Sequence, residues 1–260
     1  MKQTLFTFFI LVLVSSCSNN KKETTAVKNN DWTNQHLKGM VKSIEGTSYT
    51  PDSTGKIGEM DSCCIEMMQF DDKGYNTMTQ SKDSKGNIKS ETTITHYDGG
   101  QVKEFVTMAN GKKANSFSID IDKDGKYTGA RSYDSASKMM GYYTDLTEDD
   151  YGAVTGGIEH HADSSLKSSF KADYNKGMQV NATGKDSAGN VTSTYKADLD
   201  DKGNIVRETT TNVINGTSTT TITTYKYDNY DDQGNWTQRT TLNEKGKATK
   251  VGKRKYEYYK

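Results

Sequence analysis

The chain has 260 residues, with 34 basic and 34 acidic side chains, one proline and 16 tyrosines. Balanced charge leaves no basic stripe of the kind that nucleic acid demands, so no nucleic-acid partner is expected. At 32% apolar residues the composition would suit disorder, but the tyrosines and recurrent β-branched residues suit half-buried pleated strands, and ordered β-structure is expected.

The first residues carry their own message. Lys2 precedes an apolar run over residues 5–14, and the small residues Ser15 and Ser16 lead to Cys17. The run is half the roughly 20 residues that a membrane-spanning helix needs, and its charged start and small-residue end read as a secretory signal over residues 1–16. With a cysteine at the cleavage point, the stretch resembles the lipobox signal of bacterial lipoproteins. The resemblance implies cleavage before Cys17, a diacylglyceryl thioether on its sulfur and an acylated amino terminus. Cys17 is then the lipidation site, and this covalent lipid takes the place of any cofactor. The membrane is the first expected partner, held through acyl chains. Ser18, not Asp, follows the cysteine, which favours the outer membrane. The stretch Ser18-Asn19-Asn20-Lys21-Lys22-Glu23 holds one acid and two lysines, and the leaflet stays open. Residues 17–36 read as the lipidated cysteine and a polar tether reaching roughly 20 Å r.m.s..

Residues 37–260 form the third region, a β-hairpin repeat domain. Its opening strand runs from Leu37 to Tyr49, a turn follows around residues 51–58, and a return strand ends near Phe70. Turn signals then recur in two interleaved series. One contains Gly74, Gly100, Gly125, Gly152, Gly177, Gly203 and Gly234. The other contains Gly86, Gly111, Ser137, Ser164, Gly189, Gly216 and Gly246. Within a series the step is about 26 residues, the mark of a repeat architecture. Asp71-Asp72-Lys73-Gly74 and Asp83-Ser84-Lys85-Gly86 show the chemistry, with Asp bonding nearby backbone and Gly supplying positive φ. Asn110-Gly111 and Asn215-Gly216 are the shorter hairpin form.

Between turns the pattern alternates, as in Phe117, Ile119 and Ile121 or Val191, Tyr195 and Leu199, with polar residues in the opposite phase. The fold class is therefore all-β: a long antiparallel meander of about 14–16 strands. An alternating aromatic strand, Lys255-Tyr256-Glu257-Tyr258-Tyr259, closes it. Two or three apolar residues per strand cannot fill a round barrel of that size, and the strands lack an outward apolar band. A twisted, curled single sheet wrapping on itself over a thin core is expected, with free edges open to a partner strand.

Tyr225-Lys226-Tyr227-Asp228, with Asp231-Asp232-Gln233-Gly234-Asn235-Trp236, resembles the tyrosine–aspartate (YD) repeat of the RHS type. Phe70-Asp71-Asp72-Lys73-Gly74-Tyr75 and Leu199-Asp200-Asp201-Lys202-Gly203-Asn204 resemble it too, over residues 37–260. The serine turns at 137 and 164 depart from it. The opening Leu37-Lys38-Gly39-Met40-Val41 is similar to the start of small envelope lipoproteins that carry such repeats.

Candidate chemistry is sparse. Asp120, Asp122 and Asp124 before Gly125 match the first half of a calcium loop, but its twelfth position is the cationic Arg131. His160 and His161 are adjacent, so as strand residues they point to opposite faces. Met60, Cys63, Cys64, Met67 and Met68 form a soft-ligand cluster, read as core filler. Asp52-Ser53-Thr54, Asp134-Ser135-Ala136 and Asp186-Ser187-Ala188 resemble an O-glycosylation acceptor of some bacterial envelope proteins. No nucleophile elbow and no phosphate loop is present, so no catalytic residue is assigned. The expected function is a non-enzymatic envelope lipoprotein serving as a binding or structural scaffold for glycan or an envelope protein. An enzyme acting on an envelope polymer with a carboxylate pair, or a passive spacer, is the alternative.

Overall fold

The computed structural model describes residues 30–260, except 53, 54, 62 and 176 and the side chain of Cys64. The signal over residues 1–16, Cys17 and the tether up to residue 29 lie outside the described residues.

The chain is all-β apart from one four-residue helix, α1 (Asp31–Asn34). The strands begin with β1 (Val41–Pro51), β2 (Ile57–Met60), β3 (Cys63–Phe70), β4 (Asn76–Asp83), β5 (Ile88–His96) and β6 (Val102–Ala109). They continue with β7 (Lys112–Ile121), β8 (Tyr127–Tyr133), β9 (Met139–Glu148), β10 (Val154–His161), β11 (Leu166–Asn175) and β12 (Met178–Asp186). The last are β13 (Val191–Leu199), β14 (Ile205–Ile214), β15 (Thr217–Tyr230), β16 (Trp236–Leu242) and β17 (Ala248–Tyr258).

The turns follow from the aspartates. Asp71 Oδ1 accepts from the amides of Lys73 (3.0 Å) and Tyr75 (2.9 Å), while the Gly74 amide donates to the Asp71 carbonyl at 3.1 Å. Asp122, Asp134, Asp149, Asp186, Asp200 and Asp231 repeat this pattern, in which the side chain holds two amides that the bend would leave unpaired. Ser137 and Ser164 take the glycine position at φ of 64° and 69°.

The two glycine series are the two ends of the structure. The first series joins β3 to β4, β5 to β6 and so on to β15 and β16. The second joins β4 to β5 and so on to β16 and β17. The sheet wraps on itself as expected and also closes: β1 pairs with β17 on one side and with β2 and β3 on the other. Because β2 and β3 both lie along β1, the ring counts sixteen positions around its circumference. Among the described residues every strand but β2 has a ladder partner on both sides, so closure leaves β2 as the free edge.

Register carries one face unbroken around the ring. Tyr256 lies opposite Ile44 and Ile44 opposite Met68. On the far side Phe105 is opposite Phe117, and Ala130 opposite Tyr143. This face is the inner wall. Its buried clusters are Val102, Ile119, Tyr127, Ala130 and Val154, and, across the barrel seam, Val41, Ile44 and Phe70. Full burial of an aliphatic side chain such as Ile119 contributes about 1.5–3 kcal/mol. Elsewhere the inner wall is only half-buried, so the core is thin, as the composition demands.

The opposite phase is polar. Lys171, Thr183, Thr194, Thr211 and Thr220 share one row, and Asp173, Asn181, Lys196 and Thr209 the next. Lysines at mid-strand, as at Lys171 and Lys196, would each cost about 2–4 kcal/mol at a bilayer midplane.

Residues 31–36, read from sequence as tether, are a stopper at the first-series end. Asn30 caps α1, its side chain accepting from the Thr33 amide at 3.0 Å, and the Asp31 amide donates to Gly74 carbonyl at 2.9 Å. Trp32 Nε1 donates to Val41 carbonyl at 2.7 Å, and the Trp32 ring packs on the seam cluster. Lys38 exchanges two 2.8 Å hydrogen bonds with the side chain of Asn235. The opening strand accordingly starts at Val41, four residues later than its hydrophobic pattern suggests.

α1 bridges the turn at Gly74 and the turn at Gly177, which lie on opposite sides of the ring. Four helical residues rise only about 6 Å. A round ring of this many strands would be about 25 Å across. The mouth is therefore drawn in over the stopper, and a few apolar side chains suffice to seal it.

Candidate functional site

The barrel is covered at one mouth by the chain itself, and at the other end the turn glycines Gly86, Gly111, Gly189, Gly216 and Gly246 have open space around them. The richest chemistry on its inner wall lies on β13–β17. Glu208 accepts from the hydroxyls of Tyr195 (2.9 Å) and Tyr225 (2.5 Å). Burial first, and then this carboxylate, push both phenols up, so they stay neutral donors.

Beside them, the Arg239 guanidinium lies 4.4 Å from the Tyr225 ring centre and 5.1 Å from that of Trp236. Arg254 lies 4.1 Å from the same Trp236 ring centre, within cation–π range. Tyr227 meets Trp236 edge-on at 5.7 Å. Tyr227 donates its hydroxyl to Ile205 carbonyl, and Tyr256 to Trp236 carbonyl, each at 2.8 Å. These tyrosines reach back to the preceding strand, which is the structural use of the repeated aromatic position.

A second node sits on β10, where Glu159 accepts from Lys167 Nζ and Ser168 Oγ, both at 2.7 Å. Burial and Glu159 push the Tyr143 phenol up. Glu159 and Glu208 thus occupy separate tyrosine nodes, on β10 and on β14.

At the sealed mouth, Asp31 is 1% exposed and its Oδ2 accepts from the Asn76 amide at 2.6 Å. Burial raises its pKa to about 7, with Asp71 pushing the same way and the Asn76 amide opposing. Among the described residues, Asp31 Oδ1, Asn76 Oδ1 and His96 Nε2 are buried without a hydrogen-bond partner. A proton on Asp31 turns one of these orphaned acceptors into a donor. Burial holds His96 below the usual imidazole range, against the pull of Asp71.

The residues singled out from sequence are dispersed. Asp120 pairs with Arg131 at 2.8 Å, and Asp122 Oδ1 is occupied by the amides of Asp124 (2.8 Å) and Lys126 (2.9 Å). No group of three His, Cys, Asp or Glu suited to a metal occurs among the described residues. His160 stacks on Tyr142 at 4.8 Å on the outer face, and His96 packs on Tyr75 at 5.2 Å. Cys63 is free and exposed. Met67 faces outward, with its sulfur 2.9 Å from Lys82 Nζ, while Met68 packs inward, so the soft-ligand cluster is split across the sheet. The turns holding Asp52, Ser135 and Ser187 all lie at the open mouth, with Ser53 and Thr54 outside the described residues. The Arg239–Trp236–Arg254 cluster gave no sequence signal, because its members come together only through register.

No family model matches the chain, and no curated protein matches it. Among solved structures, a porin-like protein from Bacteroides uniformis is similar over 84% of this chain and 96% of its own, at 14% identity and a TM-score of 0.54. A porin-like protein from Bacteroides vulgatus is 12% identical over 85% of this chain and 99% of its own, with a TM-score of 0.35. A Photorhabdus luminescens Tc holotoxin pore is 12% identical over 75% of this chain and 12% of its own, with a TM-score of 0.32. The first of these shows the fold, an antiparallel barrel of hairpins.

Proposed function

We propose that the chain is a lipid-anchored envelope protein whose barrel stands in water as a one-ended cup and binds a ligand in its lumen without catalysis. The observation that carries this reading is the stopper: a pore needs two open mouths, and residues 30–38 close one of them with backbone and side-chain bonds. The polar exterior supports a barrel outside the bilayer, and the fold shared with a porin-like protein supports an envelope setting. Acids at the turn tips hold their own amides, which supports binding over hydrolysis.

On this reading Cys17 carries the anchor and the stretch 18–29 delivers it to the sealed mouth. The base then faces the membrane and the open mouth faces away. Radiolabelled palmitate is expected to enter the protein in cells, and Cys17→Ala to lose the label and move the chain to the soluble fraction. A chain labelled and membrane-bound without Cys17 overturns the anchor. Protease added to intact and to lysed cells then assigns the leaflet.

A further inference from the structure

Two inner-wall glycines stand out because nothing in the fold calls for them. Gly46 in β1 and Gly252 in β17 are absent from the positive-φ residues. A Cβ on Gly46 would meet nothing nearer than 3.8 Å, and one on Gly252 only the Arg239 carbonyl at 3.8 Å. Gly141 and Gly157 are crowded by contrast: a Cβ on Gly141 would lie 2.5 Å from His160 carbonyl, and one on Gly157 2.7 Å from Leu146. Glycine weakens a strand interior, and one that no neighbour crowds suits a place where a ligand approaches the backbone.

Those two glycines flank the guanidiniums. Gly46 is the register partner of Arg254, and Gly252 that of Arg239. Salt bridges among the described residues include neither arginine. Each is held instead by aromatic faces, which orient a guanidinium without neutralising it. The nearby Glu208 is already engaged by two tyrosine hydroxyls. Glu66 also lies on this wall, opposite Gly46 and exposed.

We propose that the inner wall at Gly46 and Gly252 binds an acidic saccharide, with Arg239 and Arg254 taking its anionic group. The forked, planar donors of arginine match a carboxylate bidentately. Glu66, Ser48 and Thr241 lie on the same face and suit the hydroxyls of a sugar ring. A bare polyanion offers Glu66 no donor and is repelled by it, whereas a saccharide acid presents both hydroxyl donors and an anionic acceptor. The inference rests on the reading of the lumen as an open binding cup.

The test is calorimetric titration of the full chain in detergent with trigalacturonate, maltotriose and tripolyphosphate. Trigalacturonate is expected to bind, to weaken with added salt, and to weaken at least tenfold in Arg239→Gln/Arg254→Gln. Gly252→Val adds bulk to the wall while keeping every charge, and is expected to fold and to weaken binding by a similar factor. Equal binding of maltotriose, equal binding of tripolyphosphate, no binding of trigalacturonate, or full binding by the folded Gly252→Val variant would each overturn the proposal. A separate measurement isolates the parent reading. Gly252→Cys in a Cys63→Ser/Cys64→Ser background is expected to react with a water-soluble maleimide above the level of that background. If it reacts while trigalacturonate does not bind, the saccharide site falls and the open cup stands; if it does not react, the cup itself falls.

Discussion

At the sealed mouth, a Cβ built on Gly74 would lie 2.6 Å from the Trp32 ring, one on Gly177 2.8 Å from the Asn34 Cα, and one on Gly203 2.2 Å from the His36 ring. At the open mouth, one on Gly86, Gly111, Gly189, Gly216 or Gly246 would meet nothing within 4 Å. The Asp-x-x-Gly turn serves both ends with similar positive φ, as at Gly74 and Gly189, so there the local sequence rule is the same. The difference is occupancy. Glycine at the open mouth answers only to φ, and serine can stand in at 137 and 164. At the sealed mouth Gly74, Gly177 and Gly203 also make room for the stopper, while Gly234 has open space.

The sharpest way to break this comparison is a matched pair of alanines. Gly74→Ala meets both a φ of 87° and a fixed indole, and is expected to cost about 3 kcal/mol or more, from left-handed strain plus overpacking. Gly189→Ala, at a φ of 85° in open space, is expected to cost only the strain, about 1–2 kcal/mol. Equal losses in denaturant melts would mean that the stopper does not fill the mouth.

The next effect separates the ends by pH. Asp31 is raised from 3.8 to about 7, so the folded state holds a proton that the unfolded state has released. Stability from this group is therefore full below about pH 4 and declines as pH rises towards 7. Asp31→Asn removes the titration and is expected to raise the melting temperature by several degrees at pH 8, with little change at pH 4. A variant whose pH profile overlays the parent would remove Asp31 from the account of the seal.

The smallest effect belongs to the open mouth. Ser137→Gly relieves a φ of 64° where the side chain is exposed, and is expected to stabilise the protein by about 1 kcal/mol, read as a shifted urea midpoint. Destabilisation there would show that the serine side chain makes a contribution greater than its strain.

Much of the architecture was legible because it is local. Asp71 through Tyr75 and Asp122 through Lys126 specify their own turns through bonds within five residues. Alternation at Phe117, Ile119 and Ile121 assigns faces for the same reason: side chains in a strand alternate with period two. Residues 31–36 misled because a polar, aperiodic stretch looks like a tether when its partners are unknown. Asp31, Asn34 and His36 find theirs at Asn76, Gly177 and Gly203, far along the chain.

From its own residues the chain determines an antiparallel meander with turns at two alternating ends, since hairpin chemistry and pleat periodicity act over a few positions. Only the tertiary structure decides that β17 returns to β1, that one mouth is stoppered, and that Arg239, Trp236 and Arg254 meet beside two uncrowded glycines. Those outcomes depend on register accumulated around the whole ring. A shift of one residue at any ladder would send every later side chain to the opposite face.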